Sequence, residues 1–171
     1  IGDTIKFGYY SQGGISIKEG QKVIEVIKEY GEYIPLAKGK AISAGQLLER
    51  FLFDRKKQYD FVEKLSGGEL KRLFLCTVLI QNPNFLILDE PTNGLDPQGI
   101  AEIRDLIKKI SAEGVTIILA SHLLDEVQKV CTHVMIMQKG NKLASGRVDD
   151  ILTEKRLLEV KAADMTLLKS K

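Results

Sequence analysis

The stretch FLILDE, at Phe85–Glu90, decides the fold, because four apolar residues run without a break into two carboxylates, Asp89 and Glu90. A short unbroken apolar run is typical of a strand that is buried on both faces. A second such run, Val115–Ala120, follows after a helical segment. Buried strands that alternate with helices predict an α/β fold with a parallel core sheet.

Helix signals surround these two strands. Asp96 is predicted to be an N-cap, with Pro97 at the first helical position, and this helix is expected to end near Gly114. Ser121 is predicted to cap a further helix that runs to about Val130. Each apolar run is therefore followed by a helix, as a parallel sheet requires.

The chain before residue 85 is predicted to contain more helix and fewer strands. Thr4–Tyr10 is rich in β-branched and aromatic residues, which predicts a strand. Residues 15–64 are predicted to form short helices and loops with no strand, and Ser43 with Gln46 forms a capping box at one helix start. A longer helix is expected to begin near Leu65 and to end near Gln81.

The C-terminal part is predicted to contain a hairpin and a short helix. Val134–Gln138 and Lys142–Ser145 flank a Lys-Gly-Asn turn, which favours a hairpin. A capped helix is expected near Asp149, and the apolar stretch Leu157–Val160 precedes a basic end.

Composition excludes several classes of protein. With 171 residues, 44% of them hydrophobic and 28% charged, the chain has the usage of a globular domain rather than of a disordered or disulfide-rich one. The net charge of +2 is too small to favour a nucleic-acid binder held by bulk charge. No apolar stretch approaches 18 residues, so we expect no transmembrane helix and no direct membrane insertion.

Polar residues follow the predicted strands and should meet at one edge of the sheet, since parallel sheets bind ligands at the carboxyl ends of their strands. These residues are Gln12, Asp89, Glu90, Ser121 and His122. A carboxylate such as Asp89 can hold Mg²⁺, and a neighbouring one such as Glu90 can polarise a water molecule. The alternative is that the acids merely cap the next helix.

The segment LSGGE, at Leu65–Glu69, opens the longer helix. Gly67 and Gly68 would leave backbone N–H groups open to an anion, and the Ser66 hydroxyl adds a donor. The alternative is a plain capping box between Ser66 and Glu69 with incidental glycines. Capping does not need both glycines, however, and glycine lowers helix stability.

The order of these motifs resembles the nucleotide-binding domain of ABC-type ATPases, across nearly the whole chain to about residue 150. LSGGE precedes FLILDE by about twenty residues, Asn93–Asp96 comes just after it, and Ser121-His122 follows the next strand. The resemblance implies a P-loop NTPase-like parallel core sheet and a helical signature subdomain at about 15–80. Residues from about 147 to 171 would then be a C-terminal extension.

The resemblance also implies a role for each motif residue. The catalytic residues would be Glu90, as the base that activates water, and His122, which bonds the γ-phosphate. Mg²⁺ would be held by Asp89 and Gln12. The residues that bind ATP, in part across a head-to-tail dimer with a second nucleotide-binding domain, would be Gln12, Ser66, Gly67, Gly68, Glu69 and Asp96.

The sequence departs from the family in lacking a Walker A loop, GxxxxGK[ST]. The nearest pair, Gly39-Lys40, is followed by Ala41 and lacks the upstream glycine. We therefore interpret the domain as partial, truncated at its N-terminus, and expect these residues alone to bind ATP weakly or not at all. The missing interior strand should leave an open sheet edge that recruits another strand, unless Leu157–Ala162 fills the gap.

Two parts of the chain resemble different branches of the family. Residues 1 to about 95 resemble soluble ABC-F type ATPases of the Uup-like group, through segments such as Leu47–Phe53, and these act on ribosomes or nucleic acid. From Gly94 onward the chain resembles a transporter subunit, through Ser121–Val127.

Three hypotheses follow from this division. The first is the energising ATPase subunit of an ABC transporter, cytoplasmic and peripheral to the inner face of the plasma membrane, beside a transmembrane permease. The second is an ABC-F type ATPase that acts on the ribosome or on nucleic acid. The third is a non-catalytic fragment or an engineered chimera.

Overall fold

The computed structural model describes residues 4–11, 13–35 and 40–151, and their contacts form two compact units that meet in sequence at His122 and Leu123. Gln12 and the segment Leu157–Ala162, both singled out above, lie outside the described residues.

The first unit is built on a three-stranded parallel sheet, which confirms the predicted α/β class. Its strands are β1 (Phe7–Tyr10), β4 (Phe85–Asp89) and β5 (Thr116–Ala120), and they lie in the order β1-β4-β5. The register pairs Phe7 with Phe85 and Asp89 with Ala120. The carboxyl ends of β4 and β5 are therefore level with each other.

The prediction that β4 and β5 are buried on both faces is wrong for the described residues. Along β4, Leu86 and Leu88 are fully buried, but the alternate residues are only half-buried. Along β5, half-buried and exposed residues alternate, and Ile118 is 51% exposed. The reason is that no described element covers the face of β5 that carries Thr116, Ile118 and Ala120.

Helices make up most of the rest of the first unit, and their starts follow the predicted caps. The Ser43 hydroxyl accepts from the Gln46 N–H at the start of α2, and the Asp96 carboxylate caps α5. The helices are α1 (Val23–Tyr30), α2 (Ala44–Arg50), α3 (Arg55–Gln58), α4 (Gly67–Leu79) and α5 (Pro97–Ala112), with a 3₁₀ turn at Val62–Lys64. The helix predicted to run to Gln81 thus ends two residues earlier.

The prediction that residues 15–64 contain no strand is wrong. A small antiparallel hairpin joins β2 (Tyr33–Pro35) to β3 (Ala41–Ser43), with Tyr33 opposite Ser43. Strands of three residues are too short to show the alternation by which strands are recognised in a sequence.

Aromatic stacking fixes α4 against the edge strand of the sheet. The rings of Tyr10, on β1, and Phe74, on α4, stack with centroids 4.4 Å apart. Burial raises the pKa of Tyr10 to about 12, so its hydroxyl is neutral at physiological pH. The buried faces of α1, α2 and α4 pack together around fully buried residues such as Ile27, Leu48 and Leu73. The start of α4 is thereby held in a fixed place relative to the sheet.

The second unit contains α6 (Leu124–Val130), the predicted hairpin of β6 (His133–Gln138) and β7 (Asn141–Arg147), and α7 (Val148–Ile151). Ser121 does not occupy the N-cap of α6, contrary to the prediction. Leu123 holds that position, because the His122 backbone N–H donates to the Glu90 carboxylate and the helix begins after it. Within the described residues, no helix is long and apolar enough to cross a membrane.

Candidate functional site

The carboxyl ends of β4 and β5 bring Glu90 and His122 into direct contact. Nδ1 of His122 lies 2.9 Å from both carboxylate oxygens of Glu90. The His122 backbone N–H donates to Glu90 Oε1 at 3.0 Å, and the Glu90 N–H donates to the Ala120 carbonyl at 2.9 Å. The parallel register thus places together the two residues predicted to be catalytic.

Glu90 is held in an unusual backbone conformation. Its φ of +47° lies in the left-handed region, where a residue with a side chain costs on the order of 1–3 kcal/mol. Its side chain is 16% exposed, whereas that of His122 is 65% exposed. The carboxylate is therefore sheltered beside the sheet edge, and the imidazole is open to a ligand that arrives from solvent.

Asp89, the last residue of β4, is half-buried, and its carboxylate has no hydrogen bond or ion pair with any other described residue. A sheltered carboxylate without a protein partner is suited to a cation. The described residues form no group of three or more acidic, histidine or cysteine side chains that could enclose a metal. A single carboxylate fits Mg²⁺, which takes one or two carboxylates and completes its shell with water and substrate oxygens.

The start of α4 has both features predicted for LSGGE, a capping box and open backbone N–H groups at the glycines. The Ser66 hydroxyl accepts from the Glu69 N–H at 3.2 Å, and a Glu69 carboxylate oxygen accepts from the Ser66 N–H at 2.8 Å, so the capping box is present. The N–H groups of Gly67 and Gly68 have no partner among the described residues, and a side chain at Gly67 would meet nothing within 4 Å. Packing does not require the glycine at position 67, and the open N–H groups fit an anion.

Glu69 is further fixed by a lysine of the helical region. Lys57 Nζ lies 2.9 Å from the carboxylate of Glu69. Partial burial acts to raise the pKa of Glu69, but the hydrogen bonds from Lys57 and Ser66 bring the pKa below its ordinary value. The carboxylate is thus ionised at neutral pH and holds the first turn of α4 in place.

Asp96 lies at the N-terminus of α5, where its Oδ1 accepts from the Gly99 N–H at 2.9 Å. A Cβ at Gly99 would come within 2.9 Å of the same oxygen, so glycine permits this close approach. The carboxylate therefore has a structural use as a cap, and its predicted role at a dimer interface remains a prediction.

A cleft of about 300 Å³ runs beside Glu90. Its lining includes Ser11 and Gly14, which lie on either side of Gln12 in the sequence, as well as Lys71 and Asn93. The neighbours of Gln12 therefore share a cleft with the candidate base, while Gln12 itself lies outside the described residues.

Sequence reasoning missed Lys71. Its Nζ donates to the backbone carbonyl of Asn93, in the loop that follows Glu90. Partial burial lowers the pKa of Lys71, and the negative charge of Glu90 opposes this shift. The available signal was a pair of cations, Lys71 and Arg72, within an otherwise apolar stretch of α4. Arg72 is buried and pairs with Glu102 on α5.

Comparisons with known proteins give a consistent result. The family described as "AAA domain, putative AbiEii toxin, Type IV TA system" matches residues 13–127. The uncharacterized ABC transporter ATP-binding protein YfmR of Bacillus subtilis is 40% identical over 159 residues, which make up 91% of this chain and 25% of that protein. The chain thus spans about a quarter of the length of this relative.

Two solved structures share the architecture. A putative metal-chelate type ABC transporter in an inward-facing conformation superposes with a TM-score of 0.74 over 91% of this chain and 63% of the other, at 19% identity, which shows the same fold. CbiO1 from Clostridium perfringens, part of the ABC transporter complex cbiONQ, superposes with a TM-score of 0.60 at 35% identity, over 68% of this chain and 46% of the other.

Proposed function

This chain belongs to the family of ABC transporter ATP-binding domains, and we propose that its residues form part of an ATP-hydrolysing site that energises a transporter. The observation that carries the proposal is the contact between Glu90 and His122 at the ends of neighbouring parallel strands. It places a sheltered carboxylate and an exposed imidazole where ligands of such sheets bind.

Glu90 acts as the base in this proposal. Its carboxylate accepts a proton from water, or orients water for attack on the γ-phosphate. Its left-handed backbone and its hydrogen bond from the His122 N–H hold the carboxylate oxygens in one place, so little reorganisation is needed at the moment of reaction.

His122 serves as the link between Glu90 and the phosphate. An ionised carboxylate only accepts hydrogen bonds, so Nδ1 of His122 carries the proton in its contact with Glu90. Nε2 has no partner among the described residues, so it is the ring nitrogen left to contact a phosphate oxygen.

Asp89 and the start of α4 supply the remaining charges. Asp89 would hold Mg²⁺ through one carboxylate oxygen or through water, and Gln12 would be the second ligand. When bound, Mg²⁺ neutralises phosphate charge and orients the transferring group. The N–H groups of Gly67 and Gly68, with the Ser66 hydroxyl, would bind the γ-phosphate held on a second nucleotide-binding domain in a head-to-tail dimer.

Hydrolysis by the full-length gene product tests this assignment. We expect phosphate release that needs Mg²⁺ and is lost in Asp89→Asn, because the amide removes the charge that holds the cation. Asp105→Asn, at an exposed position of α5, is the matched control and should retain activity. Equal turnover by Asp89→Asn and the parent would contradict the assignment of Asp89.

The permease partner and a cytoplasmic location at the membrane belong to the same proposal. They rest on the relatives that are named as transporter proteins or as parts of transporter complexes. An ABC-F type ATPase is the second candidate, favoured by the residues before about 95. Sedimentation with ribosomes rather than recovery with a membrane permease would favour this second candidate.

The 171 residues of this chain contain no Walker A loop. Isothermal titration of this chain with Mg-ATP should show weak or no binding, since the loop supplies most phosphate contacts in this class of fold. Micromolar affinity would show that this chain binds ATP by another route.

A further inference from the structure

The loop Glu90–Leu95, between β4 and α5, is bent sharply. Glu90 and Gly94 have φ values of +47° and +71°, and two turns close within it, from the Asn93 N–H to the Glu90 carbonyl at 3.1 Å and from the Leu95 N–H to the Thr92 carbonyl at 3.2 Å. A non-glycine residue in the left-handed region persists only where its surroundings hold it there. The conformation of Glu90 therefore depends on what anchors this loop.

The loop is anchored from two sides. On the sheet side, the Glu90 N–H donates to the Ala120 carbonyl, and His122 bonds the carboxylate. On the helix side, Lys71 of α4 donates from Nζ to the carbonyl of Asn93. Asn93 and Gly94 are exposed, so water competes for their backbone groups unless Lys71 occupies the carbonyl.

Lys71 differs from the neighbouring lysines in its choice of partner. Lys57 and Lys64 each bond a carboxylate directly, at 2.9 and 2.8 Å. The hydrogen bond of Lys71 goes to a neutral backbone carbonyl, although its side chain is partly buried and a buried ammonium needs a compensating charge. Glu90, on the same cleft, supplies that charge.

We propose that Lys71 is a positioning residue, which clamps the Glu90–Leu95 loop to α4 and thereby holds Glu90 in its productive conformation. The link to hydrolysis rests on the proposed function of Glu90, but the clamp itself does not. Because Lys71 lies four residues, about one helical turn, after Gly67 at the start of α4, it also connects the start of this helix with the loop that carries the candidate base.

Amide hydrogen exchange on this chain, followed residue by residue by NMR, tests the clamp. Lys71→Met keeps the apolar stem and removes the donor, and the Asn93 and Leu95 amides should then exchange about tenfold faster, which corresponds to about 1.4 kcal/mol. Lys71→Arg, which keeps the charge and the donors, should restore most of the protection. The amides of β4 should not change.

Lys64→Met is the matched control, because it removes a surface lysine that pairs with Asp60 far along the sequence from the loop. It should leave the exchange of residues 90–95 at the parent rate. Unchanged exchange in Lys71→Met would overturn the clamp. If that variant does not fold, Lys71→Ala replaces it, since alanine also lacks the donor, and the same criterion applies.

Steady-state kinetics of the full-length gene product test the link to catalysis. Lys71→Met should lower kcat about tenfold and leave KM for ATP within about twofold, with recovery in Lys71→Arg. A raised KM with an unchanged kcat would make Lys71 a binding residue and would overturn its positioning role. If Glu90 proves not to be the base, the proposed function fails, while the exchange result still decides whether the clamp exists.

Discussion

Substitution of His122 by alanine separates the catalytic contribution of this residue from its contribution to stability. The change removes the two contacts between Nδ1 and the Glu90 oxygens at 2.9 Å, but it leaves the backbone N–H that donates to Oε1 at 3.0 Å. Because the His122 side chain is 65% exposed, its pairing with Glu90 is worth less than about 1 kcal/mol of unfolding free energy.

The effect on hydrolysis should be far larger. Loss of one positioned hydrogen-bond donor to the charge that develops in the transition state typically costs on the order of 10²–10³-fold, so we expect His122→Ala to lower kcat of the full-length gene product by at least about 10²-fold. His133→Ala is the matched control, because the other histidine is also exposed, and among the described residues its ring hydrogen-bonds the neighbouring Thr132 hydroxyl alone, through Nδ1 at 3.1 Å. Phosphate release and chemical denaturation measure the two effects on the same preparations. Turnover within a few-fold of the parent, or a loss of stability above about 2 kcal/mol, would refute the reasoning.

Three further predictions concern the helices and the strand around the site. Asp96→Ala should cost about 1 kcal/mol of unfolding free energy, because it removes the cap of α5, whereas Asp96→Asn should cost less; urea denaturation of both variants checks this, and equal losses would contradict the cap. Burial raises the pKa of Glu69, but hydrogen bonds from Lys57 and Ser66 bring it below the ordinary 4.5, so the carboxylate stabilises the fold fully above about pH 4.5 and this stabilisation is lost as the pH falls through the folded-state pKa. Between pH 7 and pH 3, the melting temperature should therefore fall less steeply in Glu69→Gln than in the parent. Parallel melting curves of the two proteins would show that the carboxylate is not involved. Among the described residues, one edge of β5 has no partner strand and Ile118 is 51% exposed on a face of β5, so this chain should self-associate as its concentration rises. Light scattering after size exclusion should show more monomer for Ile118→Lys, and a parent that stays monomeric throughout would rule this association out.

The elements with strong local signals could be predicted from the sequence. The cap and proline at Asp96-Pro97 and the capping boxes at Ser43 and Ser66 fix helix starts through contacts within four residues, and all three helices begin where these signals place them. The meeting of Glu90 with His122 could also be predicted, because it follows from the topology of a parallel sheet.

The features that could not be predicted depend on contacts distant in sequence. The hairpin of β2 and β3 is too short for a periodic signal, and the exposure of β5 depends on what lies beside the strand rather than on its apolar sequence. The role of Lys71 depends on a backbone carbonyl 22 residues away, and the position of a backbone carbonyl cannot be read from the residue types. The left-handed backbone of Glu90 is likewise imposed by the neighbouring strand, since glutamate has no preference for that region.

Hydrolysis and nucleotide binding by Glu90→Gln, measured together on the full-length gene product, test the central claim most directly. The substitution preserves the shape of the side chain and leaves Asp89 in place but removes the base, so we predict that phosphate release is lost while Mg-ATP binding is retained. Glu49→Gln, at an exposed position of α2, should behave as the parent does. Turnover by Glu90→Gln within a few-fold of the parent would show that Glu90 is not the base and would contradict the account of the site.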